Sequence, residues 1–360
     1  SESSSGTITL TDTQDNSNIV FSGNVTADSF TTAAQGYDIF FNGDATFANA
    51  VTFQNTGTLD LGNATSDTLT FNGGLTESTT GTVTIDGAIV SSDDAITFGA
   101  INLGQNLSVT SAGGAITIGA ITSGSARDVS ITSSGGSTNT VTLSTLSGGN
   151  MNTIAVTGST SVTLNGNITT NNASGNSVTV TGTTINTGAI TIDTNNNSND
   201  GAINFVGSVA SSNNNLVLDS GSADITLSGT TFNLGSGSLT TTGNINLAAN
   251  VSITATGGMT INNDIDADDA SSNDRTLALS SGTGATMTFN GAIGSDQPLA
   301  GLTITQSNGV TFASTLDVTD GSAGTFTVTD TEDGSDTVSY THLRAHETGR
   351  NLVCRLLLEK

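Results

Sequence analysis

The chain has 360 residues and a formal charge of −25, with 6 Lys+Arg against 31 Asp+Glu, 44 Gly, 1 Pro, 1 Cys and no Trp. Charged residues make up 10% of it, against about 25% in a typical soluble domain, while Thr, Ser, Asn and Gly fill about 190 positions. Nucleic-acid binding is opposed by the lack of any basic patch, no run nears the ~18 apolar residues of a membrane helix, and a conventional enzyme core has little to be built from.

From the N-terminus onward the reading is of strands. The chain opens Ser1-Glu2-Ser3, with neither an initiator Met nor a secretory signal, so it is expected to be an interior piece of a longer protein. Short units in which Ile, Val, Leu or Phe flank a Thr then recur: Leu69-Thr70-Phe71, Val83-Thr84-Ile85, Ile96-Thr97-Phe98, Ile116-Thr117-Ile118, Val141-Thr142-Leu143, Val162-Thr163-Leu164, Val178-Thr179-Val180, Ile190-Thr191-Ile192, Ile225-Thr226-Leu227 and Met287-Thr288-Phe289. Alternation of apolar and Thr residues is the period-2 signature of a strand, and the Gly or Asn that often follows is a turn signal. The acids before residue 338 are nearly all Asp, the exceptions being Glu2, Glu77 and Glu332; Asp favours turns where Glu favours helix interiors, so helices are not expected.

The cores lie roughly 8 to 20 residues apart, and one such unit cannot bury its apolar side alone. An all-β fold follows, and a parallel β-solenoid of irregular repeats, a right-handed β-helix, fits it best. In a solenoid the Thr, Asn and Phe of successive rungs fall into register. Tandem β-sandwich repeats are the alternative, disfavoured by the single Pro298 and the lack of aromatic markers. At about 20 residues per rung, residues 1–337 would wind 16 or 17 coils into a rod on the order of 80 Å long. Neither end offers a cap over its strand edges.

Side chains able to do chemistry are few. Before residue 338 there is no His, Cys or Lys, and only Arg127 and Arg275 are basic, so a Ser-His-Asp set cannot be assembled. No catalytic residue and no cofactor are assigned. The two arginines are expected to neutralise their neighbours Asp128 and Asp274. Calcium is the one ligand the residues suggest, because hard cations take clustered oxygens. The candidates are Asp264, Asp266, Asp268 and Asp269, and in a second loop Asp193, Asn195 and Asn197; the first departs from an EF-hand, since Asp269 and Arg275 stand at its Gly and Glu positions. The pairs Thr82/Thr84, Thr140/Thr142 and Thr325/Thr327 raise ice binding as a further expectation.

The composition changes at Val338. The last 23 residues hold four of the six basic residues, both His (His342 and His346) and Cys354; without them the charge is −27. Val338 to Glu347 and Leu352 to Lys360 resemble a translated sequencing-library adapter, with Gly349, Arg350 and Asn351 where a variable barcode falls. Residues 338–360 are therefore expected to be foreign to the protein, and the His342-x-x-x-His346 spacing to carry no zinc site.

Phe289-Asn290-Gly291-Ala292-Ile293-Gly294, Leu302-Thr303-Ile304 and Gly309-Val310-Thr311-Phe312 resemble the strand repeats of large filamentous-haemagglutinin-like bacterial surface proteins. The likeness covers most of residues 19 to 330 and is one of composition and period. It implies a non-catalytic stalk of a secreted or surface-displayed adhesin, outer-membrane associated and exported by a signal outside this sequence, that meets host or neighbouring-cell surfaces, glycans or matrix. The readings kept beside it are a calcium-stabilised surface-layer or repeat-in-toxin-like module and, further off, a polysaccharide-acting β-helix enzyme or an ice-binding solenoid.

Overall fold

The computed structural model describes residues 6–11, 14–77, 81–136, 138–147, 151–170, 175–196, 199–268, 275–318, 324–329 and 338–344. Among these residues every regular element is a strand and there is no helix. All of the strand pairings are parallel, which removes the antiparallel pairing that sandwich repeats would need. The chain winds as a β-solenoid of about 13 turns.

Each coil passes through three faces in fixed order. Thr7–Leu10, Asn18–Phe21 and Val25–Ala27 open faces A, B and C, and Ser29–Thr32, Asp38–Phe41 and Ala45–Phe47 follow them one coil on, in register. The cycle continues to the C-terminal end, where Val310–Asp317 serves B and then C and Thr325–Val328 serves A. Coil length varies from 18 residues, between the partners Ile85 and Leu103, to 28, between Ile261 and Phe289. That spread is why the turns number about 13 rather than the expected 16 or 17; at ~4.8 Å per rung the rod is about 60 Å long. The corners absorb most of the extra residues, and the register shifts within a few pairs, as between Arg127 and Val129 and between Leu279 and Ser280.

Register gives the alternating sequence its purpose. On face A the inward file runs through Ile96, Ile116, Val141, Val162, Ile185 and Val209, paired rung to rung and almost wholly buried. The outward file of the same strands is Thr9, Thr31, Thr52, Thr76, Thr97, Thr117, Thr142 and Thr163 without a break. β-Branched Thr fits the pleat and keeps a hydroxyl in water. In the N-terminal coils Phe fills the interior: Phe21 stacks on Phe41 with centroids 4.9 Å apart, and Phe47 meets both Phe30 (5.3 Å) and Phe71 (5.5 Å). Each fully buried side chain of this kind contributes roughly 1.5–3 kcal/mol, against about 1–2 kcal/mol per residue for ordering backbone. A coil of 18 to 28 residues with a handful of inward apolar groups is therefore stable only between neighbours.

Where a strand turns directly from one face to the next, glycine marks the bend. Gly201–Ala210 serves face C and then A, bending at Gly207 with φ +138°. A Cβ at Gly207 would strike the carbonyl oxygen of Gly182 in the coil before, and one at Gly229 would strike that of Gly207, so backbone lies on backbone through successive coils here. Gly207→Ala is expected to lower the thermal midpoint of unfolding by several degrees through both the clash and the φ penalty of about 1–3 kcal/mol. Thr179→Ala, outward on a neighbouring strand, should move it by a degree or less. Differential scanning calorimetry of the two variants checks this.

Candidate functional site

At the corners of the coil, side-chain oxygens replace strand carbonyls as acceptors. The N–H of Thr68 donates to Asp44 Oδ1 (2.9 Å), that of Asp128 to Asn106 Oδ1 (3.1 Å), that of Thr191 to Asn167 Oδ1 (2.9 Å), that of Thr276 to Asn250 Oδ1 (3.0 Å) and that of Ala292 to Asp264 Oδ1 (2.6 Å). In each case the acceptor sits one coil before the donor. Glu77 does the same from an inward position, its Oε2 accepting from Gly99 N–H at 2.9 Å. The Asp and Asn side chains reach one rung from the corners, and the longer Glu77 reaches one rung from inside. The Asp- and Asn-rich composition is thus largely a set of ties between coils.

The calcium candidates are distributed accordingly. Asp264 holds Ala292 N–H, Asp266 Oδ1 accepts from the N–H groups of Asp296 (3.0 Å) and Gln297 (3.3 Å), and Asp268 is held by both Nε (2.9 Å) and Nη2 (2.6 Å) of Arg275. Arg275 therefore pairs with Asp268; Asp274, its expected partner, lies outside the described residues, as do Asp269 and Asn197. In the second loop Asp193 Oδ1 accepts from Asn195 N–H (3.0 Å), and Asn195 Nδ2 donates to Asp219 Oδ1 (3.3 Å). Among the described residues no group of three or more acidic, His or Cys side chains converges in an arrangement fit for a metal ion. A cleft of about 260 Å³ does bring Asp224, Asn244, Asn246, Asp266, Asp296 and Gln297 together on face C. There burial pushes the Asp266 carboxyl above its ordinary range, against the pull of its two backbone donors.

A second cluster escaped the sequence reading. Asp60 stands outward on face B, opposite Thr84, with Asp86 at the next corner. Asp60 Oδ1, Asp86 Oδ1 and Arg127 Nε are all buried without a hydrogen-bond partner. Burial, then the nearby Asp86 charge, pushes Asp60 to about 6; burial also raises Asp86, with Arg127 pulling it down and Asp67 pushing it up. Arg127 thus acts on Asp86, across coils. The expected neighbour Asp128 is bound instead by Thr153 Oγ1 (2.7 Å) and Asn106 Nδ2 (3.2 Å). The available signal was Leu59-Asp60-Leu61, an Asp where strands such as Leu69-Thr70-Phe71, Val83-Thr84-Ile85 and Ile96-Thr97-Phe98 place Thr.

Of the Thr pairs, Thr140/Thr142 and Thr325/Thr327 lie on face A eight coils apart, and Thr84 lies on face B. The tail segment Val338–Arg344 pairs in parallel with Val310–Asp317, with a register shift between Phe312 and Thr315, while His346 and Cys354 lie outside the described residues. Among the described residues no helix is long and apolar enough to cross a membrane. No family model, curated protein or solved structure matches the chain.

Two outcomes follow. Asp264→Ala is expected to cost about 0.5–2 kcal/mol by loss of the Ala292 tie, whereas Asp264→Asn, which keeps the acceptor, should stay near wild type in urea denaturation. At Asp60 the raised native pKa means that between about pH 4 and 6 the folded chain holds a proton the unfolded chain has released. Stability therefore falls as pH rises through that window. Asp60→Asn should raise the melting temperature at pH 7 and leave it unchanged at pH 4.

Proposed function

We propose that the chain is a non-catalytic stalk of a secreted or surface-displayed bacterial adhesin, contributing to adhesion or biofilm contacts with cell surfaces, glycans or matrix. The observation that carries this reading is the parallel coil-to-coil pairing of three strand faces over about 13 turns, with polar side chains tying coil to coil. A rod of this kind has length as its principal property. A lyase or hydrolase reading would rest on Arg127 or Arg275 as a base, but Asp268 holds Arg275 protonated through its hydrogen bonds, and Arg127 has its Nε buried.

A spacer should tolerate removal of whole coils. Deleting residues 89–108, the interval between the register partners Ile89 and Val109, is expected to leave a folded rod shorter by one rung, ~4.8 Å, in small-angle scattering. Cells displaying the chain should adhere to matrix-coated surfaces more than cells lacking it. A polysaccharide-cleaving activity of the purified chain that disappears with Arg127→Ala or Arg275→Ala would overturn the proposal.

A further inference from the structure

The charges are not spread evenly around the coil. Thirteen successive passes along face A and its corner into face B, from residues 29–37 to residues 301–309, contain one charged residue, Glu77, and that one is buried. The acids sit instead on faces B and C, as at Asp60, Asp219 and Asp266, and along the corners B to C, as at Asp44 and Asp67, and C to A, as at Asp93 and Asp94. The chain's charge of −25 along about 60 Å is roughly one per 2 Å, near the one per ~1.7 Å of duplex DNA. Two such rods repel strongly in most orientations.

We infer that face A is a self-association surface on which a second copy of this chain lies side by side and parallel. The uncharged strip runs for thirteen coils, from residues 29–37 to residues 301–309, and strands of three or four residues make it ~10–13 Å wide, so two copies would bury roughly 1,200–1,600 Å², the size of a standard interface. Orientation follows from the flanks. In a parallel pair related by a two-fold axis along the rods, the C-to-A corner of each copy, which carries Asp28, Asp93, Asp94 and Asp296 toward its ends, lies against the uncharged A-to-B corner of the other. A fully overlapping antiparallel pair would lay C-to-A corner on C-to-A corner, so that Asp28 at one end meets the corner acids at the other, such as Asp296. The outward Thr hydroxyls of Thr52, Thr97, Thr117 and Thr142 can pair across the interface, and a polycation would find its complement on the other faces. The inference is independent of surface display, since it concerns the purified chain alone.

Sedimentation equilibrium of the full chain is expected to show a monomer–dimer equilibrium whose dimer fraction rises as salt goes from about 20 mM to about 500 mM, because screening removes the residual repulsion. Thr52→Asp and Thr117→Asp should each weaken dimerisation at least tenfold, while the equally exposed Thr26→Asp and Ser130→Asp on face C should not. In a Cys354→Ser background, Thr117→Cys should form an intermolecular disulfide and Ser130→Cys should not. A chain that stays monomeric at both salt concentrations, or whose dimer responds alike to the face A and face C variants, would overturn the assignment. Circular dichroism confirms that each variant is folded, and the cysteine pair gives a second readout should an Asp variant fail to fold. Loss of adhesion with dimerisation intact would count against the stalk reading alone.

Discussion

Parallel hydrogen bonding of each coil to the next, in register, is the constraint on which everything else in this molecule depends. It makes a residue's neighbours the equivalent residues one coil before and one coil after, at ~4.8 Å, so whatever one position tolerates it must tolerate repeatedly. Inward, this selects Ile, Val, Leu and Phe of similar bulk in unbroken files. Outward, it selects Thr, which packs against its own kind through the methyl and is solvated through the hydroxyl. At the corners the same stacking lets Asp44, Asn106 and Asp264 tie the next coil's backbone.

This explains which parts of the fold were legible in the sequence. Strand cores such as Ile116-Thr117-Ile118 declare themselves, because period 2 needs only three residues to be read and burial agrees with it at every rung. Coil length was not legible: the 24-residue interval between Phe47 and Phe71 and the 20-residue one between Val25 and Ala45 differ only in corner residues, which carry no period. Nor could the sequence show that three strands make a coil, since the long strand Leu239–Leu247 turns from face B to face C at Gly243, with φ +125°, and reads as a single alternating run.

The site was legible to a lesser degree, for a related reason. Clustered Asp and Asn in sequence look like a cation loop, yet in a solenoid adjacent residues diverge while residues a coil apart converge. Asp264 and Asp266 therefore serve backbone donors 28 to 31 residues away, and Asp268 takes Arg275. The cluster that does concentrate charge, Asp60 with Asp86 and Arg127, is assembled from three different coils, with no spacing in the sequence to announce it.

The same stacking rule limits where charge can be placed. A carboxylate in an outward file stands opposite whatever follows it, and the field of a like charge one rung away is only partly screened by water and salt. Asp60 faces Phe40 on one side and Thr84 on the other, so its ionisation is opposed chiefly by burial, with the next acid displaced to the corner at Asp86. Asp193 and Asp219 are the direct like-charge pair, and there Asn195, Gly221 N–H and the loop after Asp193 supply donors. Face A avoids the difficulty by carrying no outward charge, which leaves it the one side of a highly acidic rod that another acidic rod can approach.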